Sequence, residues 1–154
     1  DSSLVEEWAQ LAEPGEELPD VALNALERTF TSDRRRFTAA VRNALFHRVL
    51  LAERAAYREL GALDAESGWG AREWEDAIES FYDEYGELGI DADARSAAMV
   101  EITEAGRMWS VRQILADPEG DRDWAIRATV DLDASDEAGE AVLRIDGVGP
   151  LTDA

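Results

Sequence analysis

The sequence predicts an α+β fold in which N-terminal helices pack on a curved C-terminal antiparallel sheet of about four strands. Three observations predict it. Residues 33–60 lack proline and glycine and are dominated by alanine, leucine and arginine, a composition that favours helix. Trp74, Ala77, Ile78, Phe81 and Tyr85 follow the i, i+3, i+4, i+7 spacing of an amphipathic helix. After Met99 the apolar period drops to two, and glycine-bearing turns separate the segments.

Taken in order, Ser3 and Glu6 make a capping-box pattern, and Leu4, Trp8, Leu11 and Ala12 keep helical spacing until Pro14-Gly15. The acidic stretch EPGEELPD, with two prolines, reads as a connector. Residues 1–32 therefore form an N-terminal helix and acidic connector, residues 33–151 the α+β domain, and residues 152–154 a tail. Residues 33–60 are expected to form one long helix ended by Gly61. Its broad apolar face holds Phe37, Val41, Ala44, Leu45, Val49, Ala52, Ala56 and Leu60, and Phe46, Leu50 and Tyr57 make a second patch. GALDAESGWG is then a loop, and residues 71–85 a helix with Glu73, Glu75, Asp76, Glu79, Asp83 and Glu84 on its polar side.

Four strands follow: Met99–Thr103, Met108–Leu115, Trp124–Leu132 and Ala141–Asp146, joined by turns at EAG, DPEG and DEAG. Trp124, Ile126, Ala128, Val130 and Leu132 line one face of the third strand. Leu143 and Ile145 continue that face on the fourth, and Trp109, Val111 and Leu115 on the second. Arg112, Arg127, Asp131, Arg144 and Asp146 fall on the opposite face. Asp117, Glu119, Asp121 and Asp123 crowd one connection with oxygen ligands, but the run lacks the spacing, central glycine and terminal glutamate of a calcium loop. Pro118 and Gly120 make it a turn in a long hairpin.

Composition narrows the function classes. Against 35 acidic residues the chain sets 15 basic ones, all arginine, for a net charge of −20. That charge opposes broad binding to nucleic acid or to an anionic membrane. The absence of cysteine excludes disulfides, thiolate metal sites and cysteine nucleophiles. No apolar run approaches the ~20 residues that span a bilayer, and DSSLVEEW lacks a signal-peptide pattern, so a cytoplasmic location is expected. Neither a Walker A sequence nor GxGxxG, GxSxG or HExxH occurs.

One region is basic. Residues 33–60 carry seven arginines against three acids. On the expected helix Arg36, Asn43, His47, Arg54 and Arg58 form a narrow polar stripe, a possible docking surface for an acidic partner. His47 is the sole histidine and has bases, not carboxylates, beside it on the stripe, so no catalytic dyad is visible. We expect no catalytic, cofactor-binding or metal-binding residue in the chain. Helices on a curved meander describe cystatin-like or NTF2-like cones, whose mouths hold ligands. Tyr57, Trp69, Trp109 and Trp124 would rim such a pocket, with Gln113 the one polar inward group, and the alternative function is then an NTF2-like small-molecule sensor.

The stretch VRNALFHRVLLAERAAYRELGALDAESGW, together with DSSLVEEW and WSVRQILADPEGDRDWAI, resembles the C-terminal domain of unknown function of bacterial, actinobacterial-type DEAD/DEAH-box superfamily 2 helicases. The resemblance spans nearly the whole chain and is weakest over residues 13–32. It implies a parent protein that hydrolyses ATP with Mg²⁺ and acts on RNA or DNA, its motor domains lying upstream. This chain would be a non-catalytic accessory domain that docks on the helicase core in cis or recruits a protein partner, without membrane contact or nucleic-acid binding of its own.

Overall fold

The computed structural model describes residues 29–151, so the expected first helix and acidic connector, apart from its last few residues, and the tail 152–154 lie outside the described residues. After a single 3₁₀ turn, Phe30–Ser32, helix α1 runs Arg34–Glu53. Asp33 caps it, its carboxylate accepting the Arg36 N–H at 3.1 Å. Its buried face holds Phe37, Val41, Leu45, Arg48, Val49 and Ala52.

The expectation of one helix over residues 33–60 is corrected here. The chain turns at Ala55, whose φ is 55°, and a second helix, α2, runs Tyr57–Asp64. Ala56 N–H reaches Leu51 O at 2.8 Å and Ala55 N–H reaches Ala52 O at 3.0 Å. This is the paired closing pattern of a Schellman ending, with alanine where glycine is usual. Gly61 does not end a helix but lies buried within α2, and GALD belongs to that helix rather than to a loop. A 3₁₀ turn, Ala65–Ser67, and Trp69 lead into α3, Ala71–Tyr85, the helix expected from its spacing.

Three helices are locked by one buried polar cluster. Arg48 of α1 and Asp64 of α2 pair at 2.6 Å with side chains 8% and 0% exposed. Asp64 Oδ2 also accepts the indole N–H of Trp74 in α3 at 3.1 Å, and Arg48 Nη1 donates to Ala44 O at 2.9 Å. The backbones of α2 and α3 touch beside it: a Cβ on Gly61 would lie 2.6 Å from the Ala71 nitrogen.

The sheet is an open antiparallel meander of four strands in the order β1, Val100–Ala105; β2, Met108–Ile114; β3, Trp124–Asp131; β4, Leu143–Pro150. Helices α1, α2 and α3 precede it in sequence and cover one face, as the α+β expectation requires. α1 meets β2 through Phe37 and Trp109, with ring centroids 5.1 Å apart, and α3 meets β3 through Phe81 and Trp124 at 5.5 Å. Trp124, Ile126, Ala128, Val130, Trp109, Val111 and Ile145 are all buried, as the period-two reading placed them. Each such large apolar side chain contributes ~1.5–3 kcal/mol on burial. Gln113 also points in, 1% exposed, its amide donating to Met99 O and Ile114 O. On the other face a small second cluster of Met99, Ile114 and Ala125 is buried, with Ala116 and Leu151 packed against it.

The last connection also departs from expectation. Residues 132–138 do not extend β3 into a turn but form a helix, α4, Leu132–Ala138. Asp131 caps it by accepting the Ala134 N–H at 3.0 Å, and Gly139, φ 71°, ends it. Arg107, in the β1–β2 turn, pairs with Asp133 at 2.8 Å and Asp136 at 2.6 Å. Asp136 in turn accepts the N–H of Thr31, so the start of the described chain is tied to α4. No described helix is long and apolar enough to cross a membrane.

These contacts set three expected outcomes. Asp64→Ala strands a buried guanidinium and should lower unfolding free energy by about 3–5 kcal/mol, while Arg48→Met combined with Asp64→Leu should recover much of the loss. Urea unfolding measures both, and a loss under about 1 kcal/mol for Asp64→Ala would contradict the cluster's role. Gly61→Ala forces α2 from α3 and should cost about 1–3 kcal/mol by the same measurement. Burial pushes the Asp136 carboxyl up, but hydrogen bonds from Thr31 and Arg107 outweigh it and hold the group below its ordinary 3.8. A depressed folded pKa stabilises above the unfolded value and is lost as pH falls through the folded one. The stability gap between wild type and Asp136→Asn should therefore be full at neutral pH and close as pH drops below about 3.8.

Candidate functional site

Helical spacing brings part of the expected docking stripe together. Arg36, Asn43 and His47 are exposed on α1 and, at separations of seven and four residues, share one line along it. The line stops at the Ala55 turn. Arg54 is the C-cap residue of α1, and its guanidinium lies 3.9 Å from the Glu59 carboxylate. Arg58 is exposed on α2, a different helix, so the continuous five-residue stripe becomes a three-residue line and two flanking arginines. Two other arginines of α1 are occupied. Arg34 is bonded to Glu104 on β1, and Arg48 lies in the interior.

The aromatic residues expected to rim a pocket occupy separate parts of the core. Trp109 is 4% exposed and edge-on to Phe37; Trp124 is 6% exposed, edge-on to Phe81, and donates its indole N–H to Glu84 at 2.5 Å. Trp69 is half-buried and meets Trp74 at 5.4 Å. Tyr57, also half-buried, has its hydroxyl pushed up to about 12, by burial first and then by Glu79, Tyr82 and Glu75. Tyr57 and Trp69 thus retain exposure, while Trp109 and Trp124 are spent on joining helices to sheet.

A hollow that the sequence reading missed lies elsewhere, between the α3–β1 connection and the β2–β3 hairpin. It is open, with a volume of 530 Å³, and its polar lining includes Glu87, Asp91, Asp93, Asp117, Glu119 and Arg122. The carboxylates have local employment. Asp117 accepts the N–H groups of Glu119, Asp121 and Arg122 at 2.9, 3.0 and 2.9 Å. Burial raises that carboxyl, yet these backbone bonds hold it below its ordinary value. Asp91 accepts the Ala94 N–H at 2.9 Å. The acidic run is therefore the turn the sequence indicated, and among the described residues no group of three or more His, Asp or Glu side chains is placed to hold a metal. Beside the hairpin, Tyr85 Oη lies 2.9 Å from Asp121 and 2.6 Å from Asp123.

The face of the sheet turned away from the helices is the second polar surface. Arg112 and Arg127 are exposed there and sit directly across from each other on β2 and β3. Arg144 and Asp146, on β4, approach to 3.6 Å, and Asp146 accepts the Thr129 hydroxyl at 2.7 Å. The sequence reading put these charges on this face, where opposite charges on neighbouring strands favour cross-strand pairs. The Arg144–Asp146 pair runs along one strand instead, and the cross-strand neighbours on β2 and β3 are two arginines.

No curated protein and no solved structure matches the chain. A family model does, over residues 1–148, and the chain accordingly belongs to the family described as Domain of unknown function (DUF3516).

Proposed function

We propose that this domain is a non-catalytic accessory module of an ATP-dependent DEAD/DEAH-box helicase acting on RNA or DNA, and that it docks through α1 onto the helicase core or onto a protein partner. The observation that carries the docking surface is the exposed line Arg36, Asn43 and His47, flanked by Arg54 and Arg58. In a chain of net charge −20, this concentration of arginines on one helix and its successor is a local inversion of sign. Such a patch steers and orients an acidic protein surface while the remaining acidic surface discourages a polyanion. The helicase assignment rests on the sequence resemblance. Burial of Trp109 and Trp124 leaves the docking reading better supported than a small-molecule sensor built on the four aromatics.

Nucleic-acid-stimulated ATP hydrolysis by the full-length protein tests the assignment. Deleting the domain should change the rate or the apparent nucleic-acid affinity, and Arg36→Glu with Arg58→Glu should reproduce much of that change, about three- to tenfold, since each exposed contact contributes up to ~1 kcal/mol. A full-length protein without stimulated ATPase would defeat the helicase assignment. An unchanged rate in a folded charge-reversed variant would defeat the α1 contact.

A further inference from the structure

Strand register sorts the helix-free face of the sheet into rows. One row crosses all four strands as Glu101, Arg112, Arg127 and Gly147. The adjacent row places Thr103 beside Ser110. Like charges on facing positions of neighbouring strands repel, and the chain has 35 acidic residues from which a partner could be drawn. Yet neither Arg112 nor Arg127 forms an ion pair among the described residues, whereas Arg144 nearby is matched with Asp146.

The Arg127 guanidinium lies over Gly147 on β4, where the missing side chain leaves it room. The register shifts between Arg127 and Ala128, an irregularity that re-aims side chains on a sheet. The result is two planar, permanently charged forks on a sheet floor, with hydroxyls in the next row, Glu101 bounding the far side of Arg112, and Asp146, next to Gly147, already engaged by Thr129 and Arg144.

We propose that Arg112 and Arg127 bind the phosphate of a small phosphate monoester. Guanidinium forks present paired N–H donors that match phosphate oxygens, and a monoester brings nearly two negative charges to two positive ones. A diester or a carboxylate brings one charge and leaves the arginine repulsion half relieved. A longer polyanion would carry its further phosphates onto a surface of net charge −20.

The test is a titration of the folded chain with phenyl phosphate, dimethyl phosphate and sodium chloride at matched ionic strength, followed by backbone amide NMR shifts. Phenyl phosphate should give saturable shifts centred on Arg112, Arg127 and Gly147, with dimethyl phosphate at least several-fold weaker. Arg112→Gln and Arg127→Gln should each weaken phenyl phosphate binding about tenfold, the loss of one charge-assisted contact. Both positions are exposed, so the remaining spectrum reports an intact fold. Equal shifts with chloride, wild-type affinity in Arg127→Gln, or dimethyl phosphate binding as tightly as phenyl phosphate would each overturn the proposal.

Discussion

The ion pair between Arg48 and Asp64 is the constraint from which the helical layer follows. Sixteen residues separate them, and along an uninterrupted helix their Cα atoms would stand ~24 Å apart at 1.5 Å per residue. The observed 2.6 Å contact therefore requires the chain to fold back, and the turn at Ala55 is where it does. A left-handed alanine is disfavoured by its Cβ. The surrounding geometry compensates with two closing hydrogen bonds and with Asp64 brought to the interior, where both its oxygens are bonded. Trp74 then fixes α3 to the same carboxylate, and the bare Gly61 admits the α3 backbone. An apolar contact in this place would tolerate sliding; a two-point ion pair with a third donor does not.

That locked layer determines how the sheet is used. One face is closed by the aromatic contacts of α1 and α3, and Leu88 and Ala94 of the following connection add to the same core. The connection is tied to the sheet by the 2.9 Å bond from Gly89 N–H to Ala116 O. Since α1, α2 and α3 are committed to this side, the opposite face keeps the small Met99, Ile114 and Ala125 cluster and, apart from the exposed Met108, is largely polar. The asymmetry gives Arg112 and Arg127 a rigid backbone beneath them without covering them.

Period and spacing made much of this legible. The two-residue alternation from Trp124 to Val130 and the helical stripe from Trp74 to Tyr85 each follow from burying one face of a regular element, so the spacing of apolar residues placed them. What stayed hidden depended on partners distant in sequence. Ala55 carries no glycine or proline signal, because the turn is imposed by tertiary contacts. Arg48 was open to detection: it stands three residues after Leu45 and four before Ala52, inside the apolar face, where an arginine requires a buried carboxylate. The helix α4 was open as well, since Asp131 and Gly139 bracket it with cap chemistry, but DEAG also reads as a turn. Of the candidate docking residues, the α1 line survives because it depends on one helix, and Arg58 leaves it because it depended on that helix continuing. The aromatic pocket did not form one neighbourhood, for the same spacing that lines a cavity also fills a core.

The acidic composition has a structural use that changes how the basic residues should be read. Asp33, Asp91, Asp117 and Asp131 each accept backbone N–H groups at a helix start or turn, so these carboxylates are assigned to the main chain rather than to cations. Asp64, Asp133 and Asp136 are taken by Arg48 and Arg107. The net charge of −20 therefore does not translate into a neutralising carboxylate beside every arginine. Arg36 on α1 and Arg112 and Arg127 on the sheet stand on exposed, regular backbone without an ion pair among the described residues. A rigid element holds such charges at fixed separations and costs little further ordering when a ligand arrives, which is the condition under which a surface arginine contributes to recognition rather than to solvation.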